Sequence, residues 1–211
     1  MRTVDPVRHR ERRMAIVGAA LELFATQGLA GTTTAEIARA AGISSGALFH
    51  YFPSKRAVFL ALFDADREEW DEAFAAARRQ PDPWTALTGI VDRLAAEAAH
   101  PLMAGLVVEV LAQAHRDPEV AGLVAANDRR MLAGVAELVE RMCRDGSADP
   151  GMPAATAARW VLTLTDAFQT RGYPEPDRDR AAEAATATLL IARVLRRTGP
   201  GSPGRPRRRT G

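Results

Sequence analysis

Strict alternation of apolar and polar positions, the mark of a half-buried strand, appears nowhere convincingly along this chain. Good helix formers, chiefly Ala, Leu, Arg and Glu, dominate instead. Turn-forming residues punctuate the sequence at Gly28 to Thr33, Gly42 to Ser44, Pro53-Ser54, Pro81 to Pro83, His100-Pro101, Asp117-Pro118, Asp145 to Pro153 and Gly172 to Pro176. Between them the pattern predicts about nine helices, over residues 8–27, 34–41, 45–51, 54–79, 83–99, 101–115, 119–144, 153–171 and 178–197. The expected fold class is all-α, without an internal repeat. From Thr198 onward the Gly, Pro and Arg residues can bury nothing, so 198–211 is expected to be a disordered basic tail.

Two of the short helices carry the sharpest local signals. Thr33 and Glu36 stand at capping-box spacing: the hydroxyl can accept from the Glu36 amide while the carboxylate reaches back to the Thr33 amide. A short helix therefore starts at Thr34, with Ile37 and Ala41 facing inward. Gly42 stops it, because a helix end often needs a residue at positive φ and glycine takes one without penalty. Ser44 is placed to cap the next helix. Ile43, Leu48 and Tyr51 or Phe52 supply that helix's buried side, and Ala38 is small where the two would cross. Two short helices joined by a glycine turn describe a helix-turn-helix, whose second helix enters the major groove of DNA. Plain helical bundles also contain such pairs, so the spacing by itself leaves both readings open.

Charge changes the picture. The net charge of +2 conceals +4 over residues 1–60, −9 over 61–192 and +7 over 193–211. A basic head on an acidic body directs any polyanion to the head. Lys55 is the only lysine among 28 basic residues, and alanine is abundant. That bias fits a GC-rich genome, so arginine content alone says little about function. At 47% apolar the chain can form a core. No uninterrupted apolar run approaches the roughly 18 residues of a membrane span, so no membrane partner is expected. Nothing resembling the apolar core of a signal peptide follows Met1. The single Cys143 cannot pair internally, and His9, His50, His100 and His115 show no metal spacing. No nucleophile elbow, phosphate loop or carboxylate pair appears. The expectation is a cytoplasmic protein that is not an enzyme and holds no metal or cofactor.

Residues Ile16 to Lys55 closely resemble the TetR family of bacterial transcriptional regulators. The resemblance lies in Ile16, Ala19-Ala20, Phe24, Gly28, Thr32-Thr33, Ile37-Ala38, Ala41-Gly42-Ile43-Ser44, Gly46, Leu48, His50-Tyr51-Phe52 and Ser54-Lys55, without a gap. It covers the first quarter of the chain. The remainder resembles the family in length, in being all-helical and in phrases such as Arg116-Asp117-Pro118-Glu119. The resemblance implies a ligand-responsive regulator, by default a repressor. It would hold a palindromic double-stranded DNA operator as a homodimer and be released by a small-molecule effector. It also implies a DNA surface. Thr33, Thr34, Ser44 and Ser45 would open helices toward phosphates. Ser45, Ala47, Phe49 and His50 would face bases or the groove wall, and Tyr51 and Lys55 would grip phosphates. Ser45, Ala47 and Phe49 depart from the family's usual Lys or Arg, Thr or Ser, and Tyr. Base readout is then expected to lean on thymine methyls, His50 and DNA shape. The arm residues Arg8, Arg10, Arg12 and Arg13 either reach an adjacent groove or form a solvated helix start.

The expected domains are a basic arm 1–13, a helix-turn-helix domain 14–53, a linking helix 54–79 and a regulatory ligand-binding and dimerisation domain 80–197. The stretches Ala154 to Phe168 and Ala181 to Leu195 are apolar nearly all round, so each needs covering on both sides. A second subunit supplies the outer cover most simply, and the family resemblance likewise implies a two-fold dimer through the last two helices. The resemblance places a ligand pocket between the middle helices. Candidate lining residues are Trp84, Met103, Leu106, Glu109, Val110, Gln113, Met131, Trp160, Thr163, Asp166, Phe168 and Gln169. Glu109 and Asp166 each interrupt an apolar helix, so each carboxylate needs a partner, which is either a ligand or an intramolecular group such as Arg159. The competing function is a small-molecule-binding or dimeric interaction protein whose DNA-binding head is degenerate.

Overall fold

The computed structural model describes residues 6–171 and 179–197. Among the described residues the chain is all-α, with nine helices and no strand: α1 (Pro6–Gly31), α2 (Thr34–Ala40), α3 (Ser45–Tyr51), α4 (Lys55–Arg79), α5 (Pro83–Ala99), α6 (Met103–Arg116), α7 (Pro118–Asp145), α8 (Ala154–Arg171) and α9 (Arg180–Val194). They form two compact units divided inside α4 and α7. Of the described residues, the first comprises 6–72 and 100–127, the second 73–99, 128–171 and 179–197. This division differs from the boundary expected at residue 80, because α6 and the start of α7 group with the head.

The first unit is built on a single stripe of α1. Ile16, Val17, Ala20 and Phe24 meet Ile37, Ala38, Leu48, Phe52, Val58 and Phe59 in one buried cluster. Phe24 and Phe59 pack edge to face with centroids 5.4 Å apart, a favoured aromatic geometry. Leu106, Val110 and Ala114 of α6 lie against the same cluster. The approach of α6 to α1 is close enough to require glycine: a Cβ at Gly105 would lie 2.2 Å from the Ala25 carbonyl oxygen.

Three expectations for α1 change. The helix begins at Pro6, a residue pre-set for the first helical position, two residues before the expected start, so Arg8 to Arg13 lie in the helix as one of the two readings of the arm had it. It also runs past residue 27 to Gly31, with a kink at Gly28 (φ 73°, ψ 169°). Finally, it is long and apolar enough on average to match a membrane span. Glu22, Thr26 and Gln27 break the apolar run without lowering its mean hydropathy enough to fall short of a span. The buried stripe of α1 is spent on the head's own core.

In the second unit α5, α8 and α9 pack on one another. Leu87, Ile90 and Val91 of α5, Ala157, Ala158 and Val161 of α8, and Ala187 and Ile191 of α9, with Leu195 at its C-cap, are among the buried residues there. Gly134 of α7 fits under Phe74 of α4, since a Cβ there would come within 2.4 Å of the ring. Arg141 donates to the carbonyls of Ala77 (3.2 Å), Arg78 (3.4 Å) and Gln80 (2.7 Å), satisfying the end of α4.

Candidate nucleic-acid interface

The α2–turn–α3 segment is held by local hydrogen bonds that its sequence specifies. The Glu36 amide donates to Thr33 Oγ1 (3.2 Å) and the Thr33 amide to Glu36 Oε2 (2.8 Å), closing the capping box. The Thr33 hydroxyl also donates to Glu36 Oε2 at 2.7 Å, and this bond first, then that from the Thr33 amide, with Arg39 and Lys55 adding less, holds the Glu36 carboxyl below its ordinary range. At the other end of α2, the Ile43 amide donates to Ala38 O (2.9 Å) and the Gly42 amide to Arg39 O (3.1 Å). Gly42 sits at φ 66°, and the pair of bonds forms a Schellman turn. Ser44 Oγ then accepts from the Ala47 amide at 3.1 Å, starting α3.

This frame buries Leu48 and Phe52 and leaves the other side of α3 in solvent. Ser44, Ser45, Phe49 and His50 are exposed, and Ala47 is half-buried among them. Phe49 keeps 53% of its surface accessible, a large apolar side chain standing out from a short helix. Thr33 is exposed and Thr34 half-buried at the start of α2. Arg8, Arg12 and Arg39 add exposed positive charge to the same unit, and no cap, turn or basic run in the sequence singles out Arg39.

Several expected phosphate contacts have internal partners. Lys55 Nζ donates to Ala30 O (3.1 Å) and Thr32 O (2.8 Å), tying the start of α4 to the end of α1. Arg13 Nη1 donates to the Tyr51 carbonyl at 2.8 Å, and its guanidinium lies 4.1 Å from the centre of the Phe52 ring. The His9 ring stacks against Tyr51 at 4.9 Å, and Arg10 pairs with Glu68. The first turns of α1 thus brace the end of α3. Arg56 bridges Asp117 and Glu119, both at 2.6 Å, which raises its own pKa and lowers that of Asp117.

The ligand candidates are distributed over both units. In the first, Leu106 and Val110 face the core around α1, Met103 is half-buried, and Glu109 and Gln113 bond to each other at 2.8 Å. Glu109 has an intramolecular partner, the Leu29 amide at 2.9 Å, rather than Arg159. In the second, Met131 is buried, and Trp84 lies under the Arg197 guanidinium at 4.6 Å. Thr163 is exposed and turns its hydroxyl to Arg159 O. Trp160 is 54% exposed, neither core nor enclosed wall. Desolvation, then the charge of Asp128, raises the Asp166 carboxyl above its ordinary range. The side chains of Phe168 and Gln169 lie outside the described residues.

Residues 16–62 match the family described as bacterial regulatory proteins, tetR family. The chain is 30% identical over 175 residues to the HTH-type transcriptional regulator BetI of Stenotrophomonas maltophilia (strain R551-3), covering 80% of this chain and 83% of that protein. It is 28% identical over 185 residues to the HTH-type transcriptional regulator UidR of Escherichia coli (strain K12), covering 86% and 90%. Among solved structures, the fatty acid degradation regulator FadR from Bacillus halodurans shares the fold with a TM-score of 0.75 at 20% identity, over 89% of this chain and 97% of that one.

Proposed function

The chain belongs to the TetR family of bacterial transcriptional regulators, and from that premise we propose that it is a cytoplasmic, effector-released repressor acting as a homodimer on a palindromic operator. The observation that carries this reading is the exposed side of α3, with Ser45, Phe49 and His50 in solvent on a helix fixed at its start by a Schellman turn and a serine cap. Two such helices about 34 Å apart read two half-sites one helical turn apart. The exposed Trp160 of α8 and Leu189 and Leu190 of α9 support a second subunit on the last two helices. A small molecule in the regulatory domain releases the DNA by binding more tightly to the state whose recognition helices are misplaced.

On α3, Phe49 offers apolar contact to thymine methyls and His50 offers ring nitrogens to base edges. Arg8, Arg12 and Arg39 supply charge for phosphates. The purified chain is expected to bind DNA flanking its own gene at near-physiological salt in the presence of competitor DNA. Within that site, His50→Ala should relax base preference while leaving non-specific binding in place. Binding that competitor abolishes at every candidate palindrome would instead favour a degenerate head, a reading to which the missing donors at Ser45, Ala47 and Phe49 lend weight.

A further inference from the structure

The kink in α1 has an unusual neighbour. At Gly28 the backbone leaves the helical region, and its ψ of 169° turns the following amide out of the helix. The exposed donor is not left to solvent. Glu109 Oε1, from α6, accepts the Leu29 amide at 2.9 Å in a part-buried setting. The same oxygen accepts from Gln113 Nε2 at 2.8 Å, which fixes the carboxylate's orientation. A Cβ at Gly28 would stand 2.9 Å from Glu109 Oε2, so the glycine supplies both the positive φ and the space for the carboxylate. Four residues earlier on α6, Gly105 rests on the carbonyl of Ala25, the oxygen that an unbroken α1 would offer to Leu29. Gly105, Glu109 and Gln113 fall at i, i+4 and i+8, one stripe of α6 laid along the broken turn of α1.

Whatever moves that turn moves the reading head. The Thr32 hydroxyl donates to Gly28 O at 2.7 Å and Thr32 is fully buried. The next residue, Thr33, caps α2, and α2 is locked to α3 by the Gly42 turn. The path from Glu109 to α3 therefore runs through hydrogen bonds and rigid turns.

We infer that Glu109 is a positioning residue: its carboxylate, held by Gln113 and set into the kink at Gly28, clamps α6 to the end of α1 and thereby fixes where each recognition helix stands. This rests on the reading of the chain as a dimeric DNA-binding regulator. The clamp acts on the placement of the head and makes no contact with DNA.

The test uses the full-length chain and a palindromic duplex recovered from random DNA by selection with the wild-type protein, beside a duplex carrying one half-site. Half-site binding does not depend on the spacing of two heads, so it separates placement from folding. Glu109→Ala is expected to weaken full-site binding on the order of tenfold, within the usual range of coupling between sites, and to leave half-site binding unchanged. Glu109→Gln retains a side-chain carbonyl acceptor and should recover most of the full-site affinity. Equal losses on both duplexes, or none on either, would overturn the proposal. A wild-type protein without preference for the full site would overturn the dimeric-regulator reading and this inference with it. Amide exchange of wild-type Leu29 needs no variant to fold: protection well above that of an exposed amide supports the clamp, and fast exchange refutes it whatever the DNA result.

Discussion

Gly42 holds a φ of 66°, and a Cβ built on it meets no heavy atom within 4 Å. Any cost of substitution is therefore conformational and not steric. Gly42→Val should destabilise the head by about 1–2 kcal/mol, the penalty of a left-handed conformation, and Gly42→Asn by clearly less. Thermal unfolding of the two variants checks this; equal losses would mean that the turn tolerates φ and objects to bulk. Glu36 makes a prediction about pH. Its folded pKa lies below the ordinary value, mainly through the Thr33 hydroxyl, so its contribution is complete above the usual carboxylate range. It fades as pH falls through the lowered value. The difference in Tm between wild type and Glu36→Gln should shrink on acidification, and a constant difference would remove the carboxylate from the cap. Thr33, Glu36, Gly42 and Ser44 were all legible in the sequence, because a cap or a turn is written within three or four residues. Glu109 was not. Its tie to Leu29 spans 80 positions, and an acidic residue on an apolar helix announces only that some partner exists.

At the level of helices, the same distinction explains α1 and α4. The sequence marks the end of α1 at Gly28, and the backbone does break there. That the helix resumes to Gly31 depends on Glu109 from α6, with Lys55 and Thr32 bonded to neighbouring carbonyls, none of it visible in a local window. Likewise, a basic run at the start of a helix suggests DNA, whereas Arg13 and Arg10 are engaged by Tyr51 and Glu68. Ser44→Ala should cost about 1 kcal/mol, the usual value of an N-cap, and should lower DNA affinity on operator and random duplexes alike. A variant that unfolds as the wild type does would show that Leu48 and Phe52 alone hold α3. Lys55→Ala should loosen α1 from α4 and lower Tm. Any share in phosphate binding would appear as a fall of about 1 per subunit in the slope of log affinity against log salt. An unchanged slope would leave Lys55 as a tie between helices.

For the whole molecule, the telling surface is the outer side of α8 and α9. Trp160, Leu189 and Leu190 leave apolar surface in solvent where the sequence had placed helices without a polar side. Trp160→Asp is expected to convert a dimer into a monomer by sedimentation, with helix content retained and full-site DNA binding lost before half-site binding. A dimer that survives the change would place the subunit contact elsewhere. The division inside α4 and α7 was not legible in the sequence, because apolar stripes show that a helix is covered and not by which neighbour. Leu106, Val110 and Ala114 read as part of a regulatory body, yet they pack on the core of the head.

The lone lysine has a chemical consequence. A reagent that acylates primary amines finds one side chain here, Lys55, besides the chain's own amino terminus. That amine donates to the carbonyls of Ala30 and Thr32, the joint between α4 and the end of α1. Once capped, it has lost its charge and two of its three N–H donors. Labelling thus severs a single joint at one natural position, and the change in Tm of the labelled chain reads what that joint contributes.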